Sequence, residues 1–294
     1  NTTTISFPGH TTGTPTPLAK DYGVDGPVTA YKQGANAWIY ATMRRGGRAL
    51  YAFDVSTPAS PTLKWKLGCP NAGNDTGCST GFTGLGQTWS SPKLLKAAGY
   101  GSGASPMLIM GGGYDTCQDA DPNSSCSSSS KGNKIYVLDA DTGALLKTFD
   151  TDRSVVADVT VVPDSVTGLA TYAYAADLGG NIYRISGASP NSAIGTTVPS
   201  NWTITKIAAL GGSGTDNRKF IFAPDVVDDK SGTLFVLLGS GDREKPLTSF
   251  TSAAAVANRF FMIKDRPTDN TWLSSENATC GADVICTASL VAIA

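Results

Sequence analysis

Four times along this chain an apolar, strand-like segment runs through a glycine-rich turn into a second such segment. Trp38-Ile-Tyr-Ala41 leads through Arg45-Gly46-Gly47-Arg48 to Ala49–Asp54, and Met107-Leu-Ile-Met110 through Gly111-Gly112-Gly113 and a long insertion to Lys134–Asp139. Tyr172-Ala-Tyr-Ala175 leads through Asp177-Leu-Gly-Gly-Asn181 to Ile182–Ile185, and Leu234–Leu238 through Gly239-Ser-Gly-Asp242 and an insertion to Arg259–Ile263. The second segments alternate with period two, as one face of a sheet requires. After Lys134–Asp139 the turn Asp139-Ala-Asp-Thr-Gly143 leads into Ala144–Phe149, a hairpin whose turn residues supply left-handed backbone angles.

Units of this kind cannot bury an apolar face alone, so they stack as a β-propeller or a β-solenoid. Their spacing of about 60–70 residues exceeds a minimal blade of ~45 and leaves room for inserted loops, which favours the propeller over the shorter, more regular solenoid coil. The fold class expected is therefore all-β, a β-propeller with four to five blades' worth of repeats. Residues 1–18, rich in Thr, Gly and Pro, read as an irregular lead-in, leaving 19–294 as the propeller domain. The chain begins at Asn1 without Met, as expected of an excised or processed piece of a longer secreted protein.

Composition agrees and narrows the function. Only 16% of residues are charged and 33 of 294 are glycine, a profile of short strands and tight turns. A net charge of −1 with no basic stripe argues against nucleic acid, and no apolar run is long enough for a membrane-spanning helix. His10, the one histidine, falls in the lead-in, so Ser-His-Asp or Cys-His chemistry would lack an ordered base. Neither a G-x-S-x-G elbow nor a P-loop is present, and the glycines at 111–113 precede a polar insertion rather than a helix. The chain is expected not to be an enzyme.

The six cysteines form three close pairs, Cys69/Cys78, Cys117/Cys126 and Cys280/Cys286, each inside its own stretch rich in Gly, Ser, Asn or Asp. Connectivity is open in principle, but this placement favours three local disulfides. Each would stabilise by roughly 2–3 kcal/mol and would place the chain in an oxidising compartment. Zinc is disfavoured, because the C-x₂-C spacing and accompanying histidines are absent.

One acidic loop offers metal chemistry. Asp119, Asp121 and Asn123 occupy the first, third and fifth positions of an EF-hand-like start, and Asp115 could add an oxygen. The turn glycine and closing glutamate of that motif are missing, so a solvated loop pinned by Cys117–Cys126 is the favoured reading, with Ca²⁺ the ion these oxygens would take. Asp242-Arg-Glu-Lys245 reads first as an ion-paired corner and second as a contact surface for another component. Asp228-Asp229 before Lys230-Ser-Gly232 reads as a hairpin turn.

Several stretches together resemble a known family. Tyr136-Val-Leu-Asp-Ala-Asp-Thr-Gly143 resembles the blade signature of quinoprotein-like propellers. Tyr22-Gly-Val-Asp-Gly26, Gly47–Val55, Tyr172–Arg184, and Gly239–Leu247 followed by Asn258–Asp265 resemble, in order, segments of the C-terminal domain of PilY/PilC-type type IV pilus factors. The resemblance implies a seven-bladed, quinoprotein-like propeller, of which this chain covers part. It also implies a role in pilus assembly, in restraining retraction and in adhesion at the pilus tip on the surface of a Gram-negative bacterium. The partners implied are minor pilins or other pilus components and a host-surface protein or glycan.

The family's calcium loop carries an aspartate ladder before its Tyr-x-Tyr-Ala strand. Here that stretch is Asp164-Ser-Val-Thr-Gly-Leu-Ala-Thr171, which keeps Asp164 but few other carboxylates, so a plain β-turn is the expectation there. A quinoprotein dehydrogenase is the enzymatic alternative. Its adjacent-cysteine disulfide is missing, and the five tryptophans (38, 65, 89, 202, 272) are spread through the repeats as core or edge aromatics would be. A host- or glycan-binding adhesin propeller is the other alternative. In either binding reading, the insertions at 69–88, 115–133 and 242–258 would meet the partner.

Overall fold

The computed structural model describes residues 22–119, 131–212, 214–242 and 254–292. Each repeat read from the sequence is the centre of an antiparallel meander. The first sheet has the order β1 (Val28–Gln33), β2 (Asn36–Thr42), β3 (Arg48–Asp54), β4 (Thr62–Cys69). The second has β5 (Lys93–Leu95), β6 (Met107–Gly111), β7 (Lys134–Asp139), β8 (Leu145–Asp150). The third comprises β9 (Thr160–Pro163), β10 (Ala170–Ala176), β11 (Asn181–Ser186) and β12 (Thr203–Ala209), and the fourth β13 (Asp225–Asp228), β14 (Leu234–Gly239) and β15 (Phe260–Asp265). These are four propeller blades, within the four to five expected.

Period-two alternation explains how the blades stack. Along β6, Leu108 and Met110 point into a cluster with Trp38, Tyr40 and Leu50 of the first blade. Met107 and Ile109 point the other way, into a cluster with Ala173, Ala175 and Ile185 of the third. Tyr172, Tyr174 and Ile182 then meet Leu234, Val236, Phe261 and Ile263 of the fourth. A strand covered on both faces needs a continuous apolar run, and β6 is buried at every position. β15 has a neighbour on one face only and alternates exposed with buried residues: Phe260 is 70% and Met262 42% exposed. The outer face of the first blade is likewise open at Val28 and Leu63. Among the described residues no apolar cluster joins the fourth blade back to the first.

The C-terminal segment carries an element absent from the sequence expectations. After β15 the chain passes a helical turn, Asn277–Cys280, and adds β16 (Ile285–Cys286) in parallel to the outer edge of β12. The disulfide Cys280–Cys286 closes this return, and Ile285 is buried against the cluster between the third and fourth blades. Two residues of pairing carry too little pattern to be seen in a sequence.

Candidate functional site: the insertion-bearing end of the blades

In a four-stranded meander the connections after the second and fourth strands leave from one end, and those after the first and third from the other. The insertions at 69–88, 115–133 and 242–258 follow β4, β6 and β14, so all three belong to the same end. Packing makes that end one surface. Trp89, Tyr114, Val156, Leu178 and Ile221, each from a connection after a second or fourth strand, form a single apolar cluster.

The first insertion is held by its disulfide and by a buried arginine. Cys69 and Cys78 are bonded, and Arg48, at the start of β3 and 3% exposed, spreads its guanidinium beneath the loop. Its Nε donates to the Leu85 carbonyl at 2.6 Å, Nη1 to Asn74 O at 2.9 Å, and Nη2 to Thr83 O at 2.9 Å and Asp75 Oδ1 at 2.8 Å. Such a site suits Arg and not Lys, because the planar fork serves several acceptors at fixed angles. Asp75 lies close to both sulfurs of the pair, but these are spent on each other and offer no thiolate to a metal.

The second insertion is tied to the first. Lys131 donates to Asp75 Oδ2 at 2.7 Å and to Thr83 O at 2.9 Å, and the Gly132 N–H donates to Gly84 O at 2.8 Å. Hydrogen bonds from Lys131, and then from Arg48, hold the Asp75 carboxyl below the usual carboxylate range. The glycines at 111–113 root this insertion rather than cradle a phosphate. Gly113 has φ +96°, and a Cβ there would stand 2.0 Å from the Gln87 carbonyl oxygen.

The candidate calcium ligands divide between described and undescribed residues. Asp115 is spent on backbone, accepting from Cys117 N–H at 3.0 Å through Oδ1 and from Lys131 N–H through Oδ2. Asp119 ends a 3₁₀ turn, Thr116–Asp119, while Asp121 and Asn123 lie outside the described residues. Cys117 is disulfide-bonded; its expected partner Cys126 also lies outside them.

Asp164 sits at the opposite end, in the β9–β10 turn. Its Oδ1 accepts from Val166 N–H at 3.1 Å, Thr167 N–H at 2.7 Å and Thr167 Oγ1 at 2.8 Å, with Gly168 at φ +71°. Asp139 does the same between β7 and β8, accepting from Asp141 N–H, Thr142 N–H and Thr142 Oγ1, with Gly143 at φ +75°. The two Asp-x-x-Thr-Gly stretches are one turn used twice. Hydrogen bonds from Thr167 hold the Asp164 carboxyl below its ordinary range. Asp228-Asp229 likewise makes the β13–β14 hairpin, with Asp229 Oδ1 accepting from Ser231 N–H at 2.8 Å.

The third insertion is anchored by neighbouring cations. Arg218 Nε donates to Ala257 O at 2.8 Å and Nη1 to Leu210 O at 3.1 Å, while Lys219 pairs with Asp242 at 2.6 Å. Asp242 thus belongs to an ion-paired corner; Arg243, Glu244 and Lys245 lie outside the described residues. The anchors Arg48 and Arg218 escaped the sequence reading. Their one signal was a long cation beside a glycine-rich turn in a charge-poor chain.

A family profile described as the PilY1 beta-propeller domain matches residues 16–193, more than half of the chain. The chain belongs to the PilY1 β-propeller family. The type IV pilus biogenesis factor PilY1 of Pseudomonas aeruginosa strain PAO1 is 28% identical over 175 residues, covering 56% of this chain and 13% of that protein. Its counterpart in strain UCBPP-PA14 is 27% identical over the same length. The chain therefore spans about an eighth of the curated relatives it matches. The crystal structure of the P. aeruginosa PilY1 C-terminal domain superposes with a TM-score of 0.59 at 21% identity, covering 84% of this chain and 50% of that one. That likeness establishes the propeller fold. The family is that of a pilus biogenesis factor and not of an enzyme.

Proposed function

We propose that this chain is the propeller portion of a type IV pilus biogenesis factor that acts by binding other proteins at the insertion-bearing end of its blades. The observation that carries the reading is the family match over residues 16–193, which runs through the first two blades, the first three strands of the third and both linked insertions. The geometry supports binding over catalysis: two insertions are cross-tied through Asp75, and buried arginines hold the roots of the first and third. A rigid scaffold presenting loops is the arrangement binding surfaces use. The partners would be minor pilins or other pilus components, met outside the cytoplasm, where the Cys69–Cys78 and Cys280–Cys286 bridges persist. Opposition to retraction and attachment at the pilus tip are the finer roles proposed.

The test is the yield of sheared surface pilin in a strain lacking the gene and in the same strain also lacking the retraction motor. Pili lost in the first and restored in the second support a factor that opposes retraction. Normal yield in both would leave an adhesin propeller without a part in assembly.

A further inference from the structure

The fourth blade lacks an outermost strand. The first three blades are four-stranded meanders, whereas the fourth ends at β15. The chain that follows packs Trp272, Leu273 and Leu290 against the cluster between the third and fourth blades and adds β16 to β12 instead. Among the described residues the outer edge of β15 is therefore unpaired.

The ladder shows which backbone groups this leaves open. Ser240 N–H donates to Arg259 O at 2.9 Å, and on the other side of β14 Asp229 N–H donates to Thr233 O at 3.2 Å. Hydrogen bonding alternates along an antiparallel pair, so Phe261, Ile263 and Asp265 face β14, while Phe260, Met262 and Lys264 turn their N–H and C=O groups outward. The outermost strands of the other blades are guarded. The pairings of β3 with β4, β7 with β8 and β11 with β12 each skip one residue of the outer strand, at Lys64, Leu146 and Ile207, and such bulges spoil an edge as a template. β14 and β15 pair without a shift, no proline interrupts β15, and Phe260 and Met262 stand exposed along it.

Charge decides what kind of strand fits. Arg259, Lys264 and Arg266 are exposed on or beside this edge, and among the described residues none of them forms an ion pair; Lys264 lies 6.0 Å from the Phe235 ring centroid. Asp269 feels the charge of Arg266 but is spent on Thr271 N–H and Oγ1. A second copy of β15 would set these cations against their own equivalents, which is how natural edges repel themselves.

We propose that the open edge of β15 accepts, antiparallel, an extended segment of a protein partner in which acidic and apolar residues alternate. Main-chain pairing at Phe260, Met262 and Lys264 supplies affinity, apolar side chains lie beside Phe260 and Met262, and carboxylates meet the cations. β15 starts at the insertion-bearing end, so the docked strand finishes there. The assignment rests on the protein-binding reading above.

The test is amide hydrogen exchange and calorimetric titration of the 294-residue chain with the peptide acetyl-Glu-Val-Glu-Val-Glu-Val-amide, beside its counterpart with Lys for Glu. In the free chain the amides of Phe260, Met262 and Lys264 should exchange faster than those of Phe261 and Ile263. The acidic peptide should slow them about tenfold or more and leave Lys64 and Leu146 unchanged, and the basic peptide should do neither. Met262→Pro removes an outward N–H that β14 does not use, a place where edge strands tolerate proline, so it should keep the fold by circular dichroism and weaken peptide binding about tenfold or more. Should that variant fail to fold, exchange in the wild type decides alone. Outward amides already protected in the free chain, no change on adding the acidic peptide, or equal protection by the basic one overturns the proposal. So does undiminished binding by a folded Met262→Pro, or a wild-type dimer in sedimentation that this variant dissolves. Pilus yield reports on the pilus reading separately, because it requires neither peptide nor variant.

Discussion

Arg184 of the third blade and Asp265 of the fourth form an ion pair shut off from solvent, their side chains 1% and 0% exposed. Tyr174 Oη donates to the other Asp265 oxygen at 2.6 Å, and Arg184 also donates to Ser186 Oγ at 3.2 Å and Pro190 O at 2.9 Å. The pair joins β11 to β15 inside an otherwise apolar interface, so each charge depends on the other for its solvation. Replacing Arg184 with Met leaves a buried carboxylate alone and should cost about 3–5 kcal/mol in urea unfolding. The double variant Arg184→Met/Asp265→Leu should be clearly more stable than the single one, and a double variant as unstable as the sum of its parts would refute the coupling.

Asp177 makes a second buried carboxylate work differently. Its oxygens accept from Gly179 N–H at 2.8 Å, Asn181 N–H at 3.0 Å, Arg153 N–H at 3.1 Å and Tyr183 Oη at 2.9 Å. Burial pushes its carboxyl above the ordinary range, against these donors. Asp177→Asn substitutes an N–H₂ for one acceptor and should cost about 2–4 kcal/mol by orphaning donors. Amide exchange at Arg153 and Gly179 should quicken with it, and unchanged exchange would show the network to be dispensable.

The tie between the first two insertions should depend on acid. The Asp75 carboxyl titrates below its ordinary 3.8, so its contribution is present above that value and is lost as pH falls through the lowered one. Carboxyl-carbon NMR of Lys131→Gln should place the Asp75 titration closer to 3.8 than in the wild type. No movement would mean that Lys131 does not hold it.

The twin turns predict responses of the same sign and different size. Asp164→Ala removes an exposed oxygen that accepts three hydrogen bonds and should lower the thermal midpoint less than Asp139→Ala, which also takes the buried acceptor of Tyr100 Oη. Millimolar calcium should shift the thermal midpoints of wild type and Asp164→Ala by the same amount. A stabilisation present only in the wild type would make Asp164 a ligand after all.

Much of this was legible in the residues. The continuous run Met107–Met110 and the alternation of Phe260–Asp265 already tell a strand covered on two faces from one covered on one, once the blades are known to stack. Asp139-x-x-Thr-Gly143 specifies its own hairpin, and so does Asp164-x-x-Thr-Gly168, because oxygen, donors and left-handed glycine are all within five residues. The close pairs Cys69/Cys78 and Cys280/Cys286 bond as expected for the same reason. Strands, turns and local bridges, then, followed from neighbours in the chain. What only the tertiary structure decided are contacts between distant residues: Arg184 with Asp265, 81 positions apart; Lys131 with Asp75, 56 apart; and Arg44 and Arg45 on Trp89. A lone charge in a strand or turn carries no periodicity to reveal its partner, and stacking of the blades is what brings the two together.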